Sequence, residues 1–163
     1  MNDAFGTVHR AHASTAGVAK FLPSYAGLLL EKEINVLSSL LENPKKPVCL
    51  ITGGAKIDTK IGLLNNFLHL ADSFLIGGAL ANTFLAAVGK NIGSSLFEKD
   101  KLEVAKKFLL DAENLGKKVL IPVDVVVATE IKKEATSSNI SVDSVSSEMK
   151  ILDLGKQTIE NFE

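Results

Sequence analysis

The chain has 163 residues, 46% of them apolar, and 18 Lys and Arg against 19 Asp and Glu leave a net charge of −1. Interspersed charge of this kind excludes the basic stripe of a nucleic-acid-binding surface. No apolar run reaches the roughly 20 residues that a membrane-spanning helix needs. The single cysteine, Cys49, excludes an internal disulfide. Its place in an apolar run predicts a buried thiol in a reducing, cytoplasmic setting. The first residues do not read as a secretory signal, so Asn139-Ile140-Ser141 is a chance match to the glycosylation pattern.

Residues 1–22 are rich in Gly, Ala, Ser and His, with too few large apolar side chains for a core of their own. Within them, His9-Arg10-Ala11-His12 gathers three potential cations. A phosphate or carboxylate could be gripped there, because a guanidinium makes paired hydrogen bonds to either. A solvated basic loop is the other reading, and a metal reading lacks a nearby third ligand. An amphipathic helix is predicted over residues 26–41, with Leu30, Ile34, Leu37 and Leu41 on one face, Pro23-Ser24 before it and Asn43-Pro44 after it.

Three short apolar runs then read as buried parallel strands: Val48-Cys49-Leu50-Ile51, Ser73-Phe74-Leu75-Ile76 and Val119-Leu120-Ile121. A helix follows the first, with Ile61, Leu64, Leu68 and Ala71 on one face. Another precedes the third, with Leu102, Ala105, Leu109 and Ala112 aligned and Gly116 as its stop. Alternation of this kind predicts a parallel α/β layer. Beyond it, Val123 to Ala128 extends the apolar stretch, and Ser141-Val142 and Ser144-Val145 allow a weak edge strand or hairpin. Ile151-Leu152-Asp153-Leu154-Gly155 is a further short run. A parallel sheet of three or four strands built this way reads as unfinished.

Candidate chemistry concentrates where the first two runs end. Gly53-Gly54-Ala55-Lys56, followed by Lys60, puts cations at the start of a helix that Asp58 could cap. Cations there oppose the helix dipole unless an anion binds the free N–H groups of the same end. Two exposed lysines on a surface turn are the alternative. The spacing matches neither the Walker A loop nor the six-residue dinucleotide fingerprint. Gly77-Gly78 could floor a pocket for a flat purine or be a tight strand-to-helix turn. His69 reads as a surface or satisfied histidine. Asp124, at the end of the third strand, could orient a ligand or cap a turn. No catalytic triad, paired-carboxylate motif or cysteine nucleophile stands out.

Taken together and in order, these segments resemble the phosphoglycerate kinase family. Asn2-Asp3-Ala4-Phe5-Gly6-Thr7 with His9-Arg10-Ala11-His12 is similar to the end of that family's N-terminal domain. Leu22-Pro23-Ser24 with Glu31-Lys32-Glu33 resembles the start of its interdomain helix. Gly53-Gly54-Ala55-Lys56 with Lys60 resembles its phosphate-contacting loop, and Ile76-Gly77-Gly78-Ala79 with Ala81-Asn82-Thr83-Phe84 its adenine-side loop. Pro122-Val123-Asp124 and Leu152-Asp153-Leu154-Gly155 with Thr158 continue the match. Ala79 departs from it, standing where many members carry a third glycine.

The resemblance implies a three-layer, Rossmann-like parallel-sheet nucleotide-binding domain, incomplete and preceded by an interdomain helix. Residues 1–22 would be the tail of a phosphoglycerate-binding domain, 23–44 the interdomain helix and 45–163 the first half of the nucleotide-binding domain. It implies phosphoryl transfer between 1,3-bisphosphoglycerate and ADP, giving 3-phosphoglycerate and ATP in glycolysis, with Mg²⁺. Arg10 would grip phosphoglycerate with His9 nearby. Lys56 would stabilise the transferring group, Lys60 would hold nucleotide phosphates, and Gly54, Ala55, Gly77 and Gly78 would lie along the nucleotide. The magnesium-serving aspartate of the family's G-G-G-D loop has no counterpart here, so no metal ligand is assigned. The chain is expected to be an internal piece, inactive alone and prone to self-association, from a monomeric cytoplasmic parent. A non-catalytic nucleotide-binding module is the alternative.

Overall fold

The computed structural model describes residues 1–163, which form two compact units, Met1–Lys45 and Lys46–Glu163. No helix is long and apolar enough to cross a membrane.

The first unit begins with 3-10 turns at Phe5–Thr7 and Val18–Lys20 on either side of a π-turn at Ala13–Gly17. Helix α1, Leu28–Glu42, follows within two residues of its predicted start. On its apolar face Leu30 is buried, whereas Ile34, Leu37 and Leu41 are each about half exposed.

In the second unit, β1 (Cys49–Thr52), β2 (Ser73–Ile76) and β3 (Lys118–Leu120) form a parallel sheet in the order β1-β2-β3. Ile51 lies opposite Leu75, and Leu75 opposite Leu120. The strands are therefore neighbours as the three apolar runs predict. Helix α2, Asp58–Phe67, joins β1 to β2, while α3, Gly78–Ala87, and α4, Leu102–Asn114, lie between β2 and β3. Ala105, Phe108 and Ala112 are the buried stripe of α4. Phe108 meets Phe74 of β2 and Phe84 of α3 edge to face, with ring centroids 5.3 and 5.9 Å apart. That geometry lets the positive ring edge meet the negative ring face.

Two expectations about β1 need correction. Cys49 is exposed rather than buried, and β1 is not covered on both faces. It is an edge strand with alternating side chains: Cys49 and Ile51 fall on one face and are exposed, while Thr52 on the other is buried. Within the parallel sheet, only the central strand β2 has the nearly continuous burial of a strand covered on both sides.

The second difference lies downstream. Residues 124–154 do not extend the parallel sheet. They form a separate antiparallel one, in which β4 (Asp124–Ala128) lies between β5 (Ser138–Ser141) and β6 (Lys150–Leu154). Connection length accounts for this. Only Ile121-Pro122-Val123 separates β3 from β4, whereas a parallel crossover needs about a dozen residues or more. The strand expected at Ser141-Val142 ends at Ser141, and Val142–Ser144 turns into a 3-10 segment. Val142 and Val145 face inward instead, in a cluster with Leu85, Ile92, Val125 and Val127. Helix α5, Lys156–Phe162, closes the chain.

Candidate functional site

The glycine pairs after β1 and β2 meet at the carboxyl edge of the parallel sheet, where ligands of open α/β sheets bind. The Gly77 N–H donates to the Thr52 carbonyl at 2.9 Å and the Leu80 N–H to the Gly54 carbonyl at 2.7 Å. Gly54 and Gly78 both have positive φ, +118° and +62°. A Cβ on Gly78 would lie 2.9 Å from the Gly54 nitrogen, and one on Gly53 would lie 3.3 Å from the Gly77 carbonyl oxygen. Glycine is thus required by the contact of turn with turn as well as by the local backbone. Gly54 and Ala55 are exposed on this edge.

Lys56 is exposed two residues before α2, and Lys60 is the third residue of that helix. Neither lysine enters an ion pair. The Lys60 side chain crosses over Gly54, with its Cε 3.8 Å from where a Gly54 Cβ would stand. Asp58 does not cap α2. The cap position is Ile57, no side chain caps it, and Asp58 instead pairs with Lys101 at 2.9 Å. The Glu98 carboxylate accepts the Ile57 N–H and so ties the start of α2 to the segment before α4. The helix keeps a first turn without a capping side chain beside two cations.

Behind the second glycine turn lies a cavity of about 620 Å³ lined by Gly78, Ala79, Asn82, Leu96, Leu152 and Leu154, among others. Its wall combines α3 with residues 94–97 and the whole of β6, together with Pro122, Val125 and Ile131. Residues 81–84, which resemble part of an adenine-side loop, are the body of α3. Asn82 is buried, and its amide donates to the Leu96 carbonyl at 3.0 Å. Leu96 is 66% exposed and Leu152 41%. Gly54, Ala55, Lys56, Lys60 and Gly77 do not line this cavity, although Gly54 touches Gly78, which does.

His9 and Arg10 stand exposed in the first unit. Arg10 Nε donates to His9 Nε2 at 3.2 Å, and the Arg10 carbonyl accepts the Thr15 hydroxyl. The guanidinium has no acidic partner. His69 is exposed.

Asp124 takes the capping role rather than the ligand role. It is buried at the head of β4 and reaches the first turn of α5. Its carboxylate accepts the N–H of Thr158 at 2.7 Å and of Gln157 at 3.2 Å, the Thr158 hydroxyl at 2.7 Å, and the Asn139 amide at 2.7 Å. Burial alone would raise its pKa. The bonds from Asn139, Thr158 and Gln157 outweigh that and hold it at about 2. Both oxygens are engaged. Asn139, the residue of the glycosylation pattern, uses its amide nitrogen here and its oxygen on the Lys156 N–H.

The residues present do not make a metal centre. No three His, Cys, Asp or Glu side chains converge.

Fold and edge together define an α/β protein in which two glycine turns cross at the carboxyl end of a parallel sheet. The family model for phosphoglycerate kinase matches residues 1–163, so the chain belongs to the phosphoglycerate kinase family. It is 49% identical over 163 residues to a phosphoglycerate kinase of Finegoldia magna, covering 100% of this chain and 41% of that one. To the phosphoglycerate kinase of Chloroflexus aurantiacus it is 46% identical over 162 residues, covering 99% and 40%. Among solved structures, phosphoglycerate kinase from Coxiella burnetii superposes with a TM-score of 0.89 at 44% identity, covering 98% of this chain and 41% of that one. The enzyme from Pyrococcus horikoshii gives 0.81 at 29% identity, covering 99% and 41%. The chain thus spans about two fifths of the length of the relatives it matches.

Proposed function

We propose that this chain supplies part of the active site of a phosphoglycerate kinase, which moves a phosphoryl group between 1,3-bisphosphoglycerate and ADP in the cytoplasm. The observation that carries the reading is the edge itself. Two crossed glycine turns leave backbone open to a ligand, an apolar cavity lies behind one, and two lysines free of ion pairs lie beside the other. The cavity suits a flat base. Phosphates extending toward α2 would meet Lys60, with Gly54, Ala55, Gly77 and Gly78 along the nucleotide. Lys56 would neutralise charge on the transferring group, and Arg10, with His9 beside it, would hold the phosphoglycerate. Catalysis of this reaction rests on positioning and charge neutralisation rather than on covalent chemistry.

In this reading residues 1–22 end a phosphoglycerate-binding domain, 23–44 are the interdomain helix, and 45–163 begin the nucleotide-binding domain of a monomeric enzyme. Mg²⁺ would accompany the nucleotide, served by an acid outside this chain. By itself the chain is then inactive, because transfer needs both substrates in line and a misplacement of about 1 Å can cost on the order of a hundred-fold. A purely nucleotide-binding role of the 163-residue chain follows from the same site. Exposed Ile51 on the edge strand also favours self-association of the chain alone. A coupled assay on the purified chain, with light scattering and an ADP titration, tests this. The expected result is no turnover above a Lys56→Ala control, weak saturable ADP binding and concentration-dependent assembly. Turnover above the control would overturn the inactivity, and absence of any ADP binding would overturn the nucleotide reading.

A further inference from the structure

The cap of α1 is built from outside the helix. Gly27 occupies the cap position with φ −83° and ψ 172°, a conformation open to any residue. What demands glycine is Asp3: a Cβ on Gly27 would lie 2.4 Å from Asp3 Oδ1 and 2.6 Å from its Cβ. That oxygen accepts the N–H groups of Leu29 at 2.7 Å and Leu30 at 3.0 Å, both in the first helical turn. A carboxylate is the preferred partner there, meeting free donors and the positive end of the helix dipole. Main-chain bonds flank the contact: the Asn2 N–H donates to the Tyr25 carbonyl at 2.9 Å, and the Gly27 N–H to the Asn2 carbonyl at 2.7 Å.

From this clamp a run of short-range bonds leads to Arg10. The Ala4 N–H donates to Asn2 Oδ1 at 2.9 Å. Thr7 donates to Ala4 at 3.1 Å, Val8 to Phe5 at 3.2 Å and Arg10 to Thr7 at 2.9 Å, each from N–H to carbonyl. The Thr15 hydroxyl fastens the Arg10 carbonyl from the other side. We propose that Asp3 is a positioning residue, whose carboxylate joins the Arg10 segment and the first turn of α1 into one body. The assignment rests on the reading of Arg10 as the phosphoglycerate-gripping group, and it gives that group a fixed bearing on the helix.

The chain contains its own control. Gly155 at the cap of α5 stands in the same relation to Asp124, its Cβ position lying 2.1 Å from the Asp124 carboxyl carbon, but no bond run leads from there to Arg10.

Amide exchange by ¹⁵N NMR on the 163-residue chain, with a 3-phosphoglycerate titration of a complete phosphoglycerate kinase carrying it, tests the proposal. Asp3→Ala should speed exchange at Leu29 and Leu30 by about tenfold, the loss typical of a helix cap. Exchange at Arg10 should rise with it, and 3-phosphoglycerate affinity should fall by a similar factor. Asp3→Asn, which keeps Oδ1, should restore most of both effects. Gly27→Ala, which expels the carboxylate, should reproduce them, and it replaces Asp3→Ala if that variant does not fold. Gly155→Ala should leave Arg10 unchanged. Faster exchange at Leu29 and Leu30 with Arg10 unmoved would reduce Asp3 to a helix cap and overturn the proposal. If Arg10→Ala in the complete kinase leaves 3-phosphoglycerate affinity unchanged, the reading of Arg10 fails, and the exchange data still decide whether the clamp exists.

Discussion

Replacing Asp124 with alanine removes the acceptor that serves Asn139, Gln157 and both groups of Thr158. Helix α5 has only seven residues, and a helix that short has little stability without its cap and packing. The folded carboxyl sits at about 2 against an ordinary 3.8, which by linkage is worth about 2 kcal/mol at neutral pH. Leaving buried donors without a partner adds about 1 kcal/mol or more, so Asp124→Ala should cost about 3 kcal/mol. The sign follows from a lowered pKa. The ionic part of the stabilisation is fully present above 3.8 and is lost as pH falls through about 2. Urea unfolding followed by circular dichroism, run on both proteins from neutral to strongly acid pH, provides the assay. The gap between them should be widest near neutrality and should shrink by about 2 kcal/mol on acidification, since the difference isolates this one group from all other acids. A gap below about 0.5 kcal/mol at neutral pH, or one that does not change with pH, would refute the assignment of Asp124 as the ionised cap of α5.

Gly78→Ala should destabilise the second unit by about 1–2 kcal/mol from its positive φ alone, with more from the contact with the Gly54 nitrogen. Thermal unfolding measures this, and an unchanged midpoint would mean that the turns do not touch as described. In a complete phosphoglycerate kinase carrying this chain, Lys56→Ala should lower kcat by roughly a hundred-fold or more, the effect of losing one preorganised charge donor. Steady-state turnover within a few-fold of normal would assign Lys56 to the surface. Arg10→Ala in the same protein should raise KM for phosphoglycerate and leave ADP affinity nearly unchanged by calorimetry. A large loss of ADP affinity would put Arg10 in the wrong half of the site.

The parallel strands were legible because each is a short apolar run closed by turn residues. Helix α3 was not, since Leu80 to Leu85 and Ala87 are all buried and leave no polar face to mark a period. The antiparallel sheet was hidden for a different reason. Val125 to Ala128 looks like more of the same strand, and only the shortness of the connection from β3 excludes a parallel partner. Exposure of Cys49 depends on which strand is at the edge, which the local sequence does not encode. At the site, Gly53-Gly54 and Gly77-Gly78 announce turns, but their crossing is a tertiary contact. Leu96 and Leu152 reach the cavity from segments with no motif for a pocket. Gly27 and Gly155 are necessary only because a distant aspartate occupies the place of their Cβ, so nothing nearby in sequence explains either.

An ADP titration of the ¹⁵N-labelled chain tests most directly whether a nucleotide sits at the crossed glycine turns. Saturable shifts should concentrate in the amides of Gly53 to Lys56, Gly77 to Ala79 and the cavity residues Leu96 and Leu152, and Lys60→Ala should weaken binding without moving the footprint. Shifts confined to residues 1–45, or scattered over exposed lysines without saturation, would contradict that seating.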